Sequence, residues 1–351
     1  MLHNQIGERL RRAISERVFP GCVVGVTDAE GKRELLTEGT MEYGSREPMN
    51  TDTIFDVASV TKTFPTALLA LMLLERGRLE LEDRATMFVP ELHHSTAEEI
   101  TVHHLLTHTL DHGLSLSSLK DLDPPEILKA VLMHPLRRKP GETFVYSNAT
   151  SIILGLLIER LYGRPLDVTS HRRLLHPLRM ERTTFYPRRF PVEEIAPTEI
   201  DPWRGRLVRG EIHDESAWKL RKIMIPGSAG LFSTAPDLLN FLQMILAGGV
   251  FDDQRLLTRE TIRRMFTNQI EHLEAATGLG WELNQPHYMG AEAPHIAGKT
   301  GFTGCVIMCH AKRSLGLVLL SNTTYPHRHE DRGRINEVRR DVADLVFAGS
   351  E

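Results

Sequence analysis

Cysteine is scarce in this sequence: Cys22, Cys305 and Cys309 are the only three among 351 residues. The run Cys305-Val306-Ile307-Met308-Cys309 reads as a strand. Its end Cα atoms would then lie about 13 Å apart at roughly 3.3 Å per residue. A disulfide cannot reach that far, so a reducing compartment is allowed. Long apolar runs are missing too, since the stretches 67–74 and 152–158 are too short to span a bilayer. Residues 1–12 are polar and lack the apolar centre of a secretory signal. The expectation is a cytoplasmic chain, or an exported one from which a signal was removed. Nor does one sign of charge dominate. Charged residues make up 25% and the net charge is -4, so no global field would draw the protein onto nucleic acid or an anionic membrane. Arginines cluster at 137–138, 172–173, 188–189 and 328–340, but acidic or apolar residues interrupt them and they read as solvated faces. A small molecule or a peptide is the partner that remains, and nothing here specifies an oligomeric state.

What is present exceeds one core. At 351 residues and 41% hydrophobic content, the chain is longer than the roughly 250–300 residues at which single cores stop growing. Ile6, Leu10 and Ile14 recur at helical spacing, with Gly21 as a stop, and predict an amphipathic first helix. Segments 22–27 and 34–37 predict a hairpin across Asp28-Ala29-Glu30-Gly31. Further strands are expected at 279–283, 295–297, 304–309 and 315–320, with a closing helix over 334–347. Helices at 61–76, 125–133, 151–162 and 236–247 fill the middle. The predicted class is α+β: an antiparallel sheet flanked by terminal helices, from residues 1–58 and 263–351. A mostly helical lobe, 59–262, is inserted, and the functional site lies between the two. There is no internal repeat, low-complexity tract or long linker.

A serine hydroxyl becomes a useful nucleophile when a base lies within hydrogen-bond reach, and a lysine three residues further along a helix supplies one. The tetrad Ser-x-x-Lys occurs three times: Ser59–Lys62, Ser117–Lys120 and Ser216–Lys219. Only the first opens a long apolar segment, which would bury the lysine stem and set the serine at the positive end of a helix dipole. Free N–H groups there would let the Ser59 amide meet an oxyanion. The plain alternative is a capping serine followed by a surface lysine. Tyr146-Ser147-Asn148 follows Pro140-Gly141 and precedes an apolar helix. Such a loop is a rigid mount for a phenol, though Tyr146 could equally be a core tyrosine. Lys299-Thr300-Gly301 lies at a strand edge in a chain with only nine lysines, where the alternative is a polar turn.

In the order Ser-x-x-Lys, Tyr-x-Asn, Lys-Thr-Gly, these motifs resemble the beta-lactamase and penicillin-binding protein family. The nearest likeness is to the class C branch, which includes esterases and D-alanyl-D-alanine peptidases. Segments 55–59, 105–109, 140–141 and 230–234 look like family segments as well. After His108-Thr109 the family usually shows Ser-Gly, whereas this chain reads Leu110-Asp111-His112-Gly113. Residues 208–215 look like a subgroup linked to cell-wall muropeptides. The resemblance implies Ser59 as nucleophile, with Lys62 and Tyr146 as the base between them. It further implies Phe302 N–H as the second oxyanion donor, and Asn148 as the binder of a substrate amide. Lys299 and Thr300, in the Lys299-Thr300-Gly301 motif, would meet a substrate carboxylate. Phe302 could crowd a fused lactam or turn into the core. The implied substrate is an ester, a beta-lactam or a cell-wall peptide.

Gly298-Lys299-Thr300 also echoes a phosphate-binding loop, but that motif needs a glycine where Ala293 stands and a helix after the threonine. His103, His104, His108 and His112 raise a metal hydrolase, yet no His-Glu-x-x-His occurs. No Gly-x-Ser-x-Gly is present either. Neither metal nor other cofactor is expected. A peptide-binding module without catalysis would have no use for a lysine beside a serine.

Overall fold

The structure, a computed structural model, describes residues 2–329 and 331–348. Both chain ends enter one antiparallel sheet. Strand Gly21–Asp28 pairs with Leu315–Ser321 in a register running from Cys22↔Ser321 to Asp28↔Leu315. Across the sheet the order is 33–39, 21–28, 315–321, 306–310, 296–300, 282–283. Strands 306–310 and 315–321 are buried almost throughout, as strands covered on both faces are. Side chains alternate between the two faces. Val24, Val306, Met308, Leu317 and Leu319 pack with the terminal helices Leu2–Ser15 and Gly333–Ala348. Val23, Ile307, Cys309, Val318 and Leu320 join the larger core with helix Ala235–Leu246. That helix lies so close that a Cβ on Gly25 would come within 2.8 Å of Leu239.

The fold is α+β, with a mostly helical middle. Three local expectations need correction. The first helix stops at Ser15 rather than near Gly21, because Arg17 turns left-handed (φ 58°) and Gly21 already belongs to the sheet. Helix 235–246 falls inside the segment expected to form the separate helical lobe, yet it covers the sheet. Residues 1, 330 and 349–351 of the expected sheet lobe lie outside the described residues.

The third correction bears on the site. One helix was expected over 61–76, but Phe64 (φ -128°, ψ 118°) interrupts it, and a wide helical stretch at Lys62–Ala67 leads into the regular helix Leu68–Glu75. Pro65 is the cause: it lacks an N–H and its ring drives the preceding residue into extended conformation. Ser59 therefore faces the dipole of a single turn, not of a long helix.

The carboxy-terminal helix also holds the turn after strand 296–300. Arg339, buried on that helix, donates from Nη2 to the carbonyls of Gly301 and Cys305, each at 2.9 Å. Arg339→Met is expected to lower the unfolding free energy by about 1–3 kcal/mol, read as a shift in urea midpoint. An unchanged midpoint would mean that the turn holds without it.

Candidate active site

Ser59 occupies a tight turn between strand Phe55–Asp56 and the helical start at Val60. Strand 55–56 pairs with Phe232–Ser233, and Val57 N–H donates to Leu231 O. Ala58 is left-handed (φ 46°), and the Thr61 hydroxyl donates to its carbonyl at 2.6 Å. One turn on, Lys62 Nζ donates to Ser59 Oγ at 2.9 Å and to Ser228 O at 2.8 Å. The other two tetrads do not form this contact. Ser117 bonds Ser115 while Lys120 lies over Trp203, and Ser216 donates to Asp214.

Tyr146 is mounted from the 105–109 segment. Val145 N–H donates to His108 O and Gly141 N–H to Thr109 O, both at 2.9 Å, while the His108 ring lies 5.0 Å from the Tyr146 ring. Helix Asn148–Tyr162 begins two residues later, with Ser147 accepting from Ala149 N–H. The residue leaves 42% of its surface open, whereas its oxygen end is enclosed by Ser59 and two lysines. The ammonium of Lys62 is 5.1 Å from the ring centroid, and that of Lys299 is 4.1 Å away.

Lys299 is 2% exposed on strand 296–300, and it has a counter-ion. Its Nζ donates to Glu282 Oε1 at 2.5 Å, and Tyr288 Oη donates to the other carboxylate oxygen at 2.7 Å. Tyr146, Lys62, Lys299 and Glu282 thus titrate against one another. Burial raises the Tyr146 pKa, but the charges of Lys299 and Lys62 and the nearby Ser59 hydroxyl bring it below the ordinary phenol value. Lys62 is held below an ordinary lysine by burial and by Lys299, against the pull of Tyr146. Lys299 moves up: burial opposes its charge, but Glu282 and Tyr146 outweigh that. Burial and the two lysine charges also keep His108 far below an ordinary histidine, so it stays neutral.

The strand carrying Lys299 ends against the turn that holds Ser59, where a Cβ on Gly301 would fall 2.4 Å from Val57 O. Thr300 is half-buried at that strand end. The N–H groups of Ser59 and Phe302 bond no carbonyl among the described residues, which leaves both for a ligand. Asn148 Nδ2 donates to Asp214 Oδ2 at 3.0 Å, which fixes the orientation of its amide. Phe302 is 42% exposed, not in the core. It stacks on His213 at 5.6 Å, with the Arg332 guanidinium 4.2 Å from its ring. Glu282, Asp214 and Ser228 contact the expected site residues without having been singled out. Glu282 had one signal: it is an acidic residue within the otherwise apolar strand predicted at 279–283.

A cleft offering a hydroxyl, two lysines, a phenol and two free N–H groups suits acyl transfer. The sequence model of the Beta-lactamase family matches residues 8–340, and the chain belongs to that family. A protein of Escherichia coli (strain K12) named "Putative D-alanyl-D-alanine carboxypeptidase" is 28% identical over 309 residues, 79% of this chain and 70% of that protein. The structure of EstCE1, described as a hydrolase with promiscuous acyltransferase activity, superposes with a TM-score of 0.77 at 21% identity, covering 97% of this chain and 98% of that one. The octameric penicillin-binding protein homologue from Pyrococcus abyssi does so with a TM-score of 0.74 at 24% identity, covering 98% and 77%. At these identities the two structures speak for the fold. Among the described residues, no helix is long and apolar enough to cross a membrane.

Beneath Phe302, the buried Glu199 joins the His213 ring at 2.8 Å and accepts from Arg328 Nη2 at 2.6 Å. Burial raises its pKa, but these bonds bring it down to about 2 from an ordinary 4.5. Between those values the unfolded chain binds more protons, so stability rises with pH there. Replacing Glu199 by Gln is expected to destabilise the protein at pH 7, with a gap to the parent that narrows as pH falls from 4.5 towards 2. Urea midpoints across pH would show it. A gap unchanged down to pH 3 would contradict the assignment, since most of it should be retained only above about 4.3.

Proposed function

We propose that the chain is a serine acyl hydrolase working through an acyl-enzyme on Ser59, with ester or peptide-like amide substrates. The hydrogen bond from Lys62 Nζ to Ser59 Oγ carries this reading. In acylation, Ser59 Oγ attacks the carbonyl carbon and its proton passes to Tyr146 or Lys62, which act as one unit. The N–H groups of Ser59 and Phe302 receive the oxyanion. The leaving alcohol or amine departs with the proton, and water then attacks the ester to release the acid. Asn148 orients a substrate amide, while Thr300 and Lys299 line the opposite side. Because Lys299 is already paired with Glu282, its charge serves Tyr146 as much as any substrate carboxylate.

Substrate choice is set by pocket shape. The exposed ring of Phe302 supports an extended acyl group over a fused lactam. The named carboxypeptidase relatives favour a D-alanyl peptide within the amide class. A beta-lactamase proper is the reading this one displaces.

A fluorophosphonate probe is expected to label the peptide containing Ser59 and to lose that label in Ser59→Ala. Lys62→Ala and Tyr146→Phe should each slow acylation by about 10² or more, and the double variant by much less than the product. Labelling at Ser117 or Ser216 would sink the assignment. A kcat/KM for nitrocefin tenfold above that of every ester and D-alanyl or muramyl peptide would make the protein a beta-lactamase.

A further inference from the structure

The acyl-transfer scheme leaves Asp56 without a task, although this carboxylate is buried three residues before the nucleophile. Both of its oxygens accept backbone N–H groups: Oδ1 from Ala58 at 2.9 Å and Oδ2 from His213 at 2.7 Å. The first bond closes an aspartate turn over two residues. It braces Ala58 in a left-handed conformation (φ 46°) that residues with a Cβ ordinarily avoid. The Ala58 conformation sets the direction of the next peptide, whose N–H is that of Ser59.

The second bond reaches the other half of the site. His213, gripped through its amide, carries the ring on which Phe302 stacks. Asp56 also holds the residue after Phe302, because the Thr303 hydroxyl donates to the Asp56 carbonyl at 2.6 Å. The N–H groups of Ser59 and Phe302 are therefore both tied to this one residue. Ser59 is tied through Ala58, and Phe302 through Thr303 and His213. Gly301 lets the two segments touch, since any side chain there would strike Val57 O.

We propose that Asp56 is a positioning residue that sets the separation of the Ser59 and Phe302 N–H groups, and so the width of the oxyanion hole. The proposal rests on the acyl-enzyme reading of Ser59. Donors fixed in advance act on the charge that develops in the transition state, so misplacing them should damage turnover more than substrate binding.

Two variants test this. Asp56→Asn turns an acceptor oxygen into an NH2 that must face one of the two N–H groups. Thr303→Val replaces the hydroxyl by a methyl group and so cuts the tie to the Asp56 carbonyl, which keeps the test alive if the first variant does not fold. Active sites are counted by a fluorophosphonate reaction taken to completion, so that inactive protein is discounted. Per labelled site, kcat for an aryl ester is expected to fall about 10- to 100-fold in Asp56→Asn, and less in Thr303→Val, with KM changed less than about twofold. Affinity for an arylboronic acid, which forms a tetrahedral adduct on the serine, should fall by a similar factor. A lowered melting temperature with kcat per site and boronate affinity unchanged would reduce Asp56 to a structural tie and overturn the proposal. If the parent protein does not label at Ser59 at all, the acyl-enzyme reading falls and takes this proposal with it.

Discussion

Two buried ammonium groups facing one phenol constrain the rest of this molecule. Lys62 and Lys299 are 3% and 2% exposed, and both point at Tyr146. Neighbouring buried cations are costly unless charge and hydrogen bonds offset them. Glu282 offsets Lys299, while Ser59 Oγ and Ser228 O take up hydrogen bonds from Lys62. A surplus of positive charge remains. Ionising Tyr146 or deprotonating Lys62 relieves it, and either change places a base beside Ser59. Basicity in this cleft belongs to the charge count of the group, not to one side chain.

Each partner reaches the cleft by a different structural device. Lys62 arrives on the wide turn before Pro65, whose kink separates it from the regular helix behind. Tyr146 arrives on a loop bonded to residues 108–109. Lys299 comes from a strand whose far side, at Gly298, faces Tyr288 and Met289, and its counter-ion comes from the short edge strand 282–283. The charge arrangement thus depends on strand register. Glu282 pairs with Gly298, the neighbour of Lys299, and from that edge its two carboxylate oxygens reach Lys299 Nζ and Tyr288 Oη.

Ser59, Lys62, Tyr146 and Lys299 were legible because each sits in a short motif with its own local geometry. The sheet strands were legible because burial on two faces leaves dense apolar runs at 306–310 and 315–321. Glu282, Asp214 and Asp56 were not, since their roles arise from pairing register and loop packing across 17, 66 and 157 positions of chain. The kink at Phe64 has its cause in the sequence, at Pro65, while the apolar run beyond it keeps a helical pattern. Phe302 could have faced core or cleft, and it was His213 and Arg332, both remote in sequence, that decided it. The division of the chain at 59 and 262 stays a proposal. Helix 235–246 shows how a segment from the middle can serve the sheet.

The central claim is that Lys62 and Lys299 favour the ionised form of Tyr146. A near-ultraviolet difference titration of the unsubstituted protein against Tyr146→Phe isolates that one phenol. The account predicts that it ionises below the ordinary value of about 10, and that Lys299→Ala moves the titration upward. A phenol that titrates at or above 10 and ignores Lys299 would contradict it.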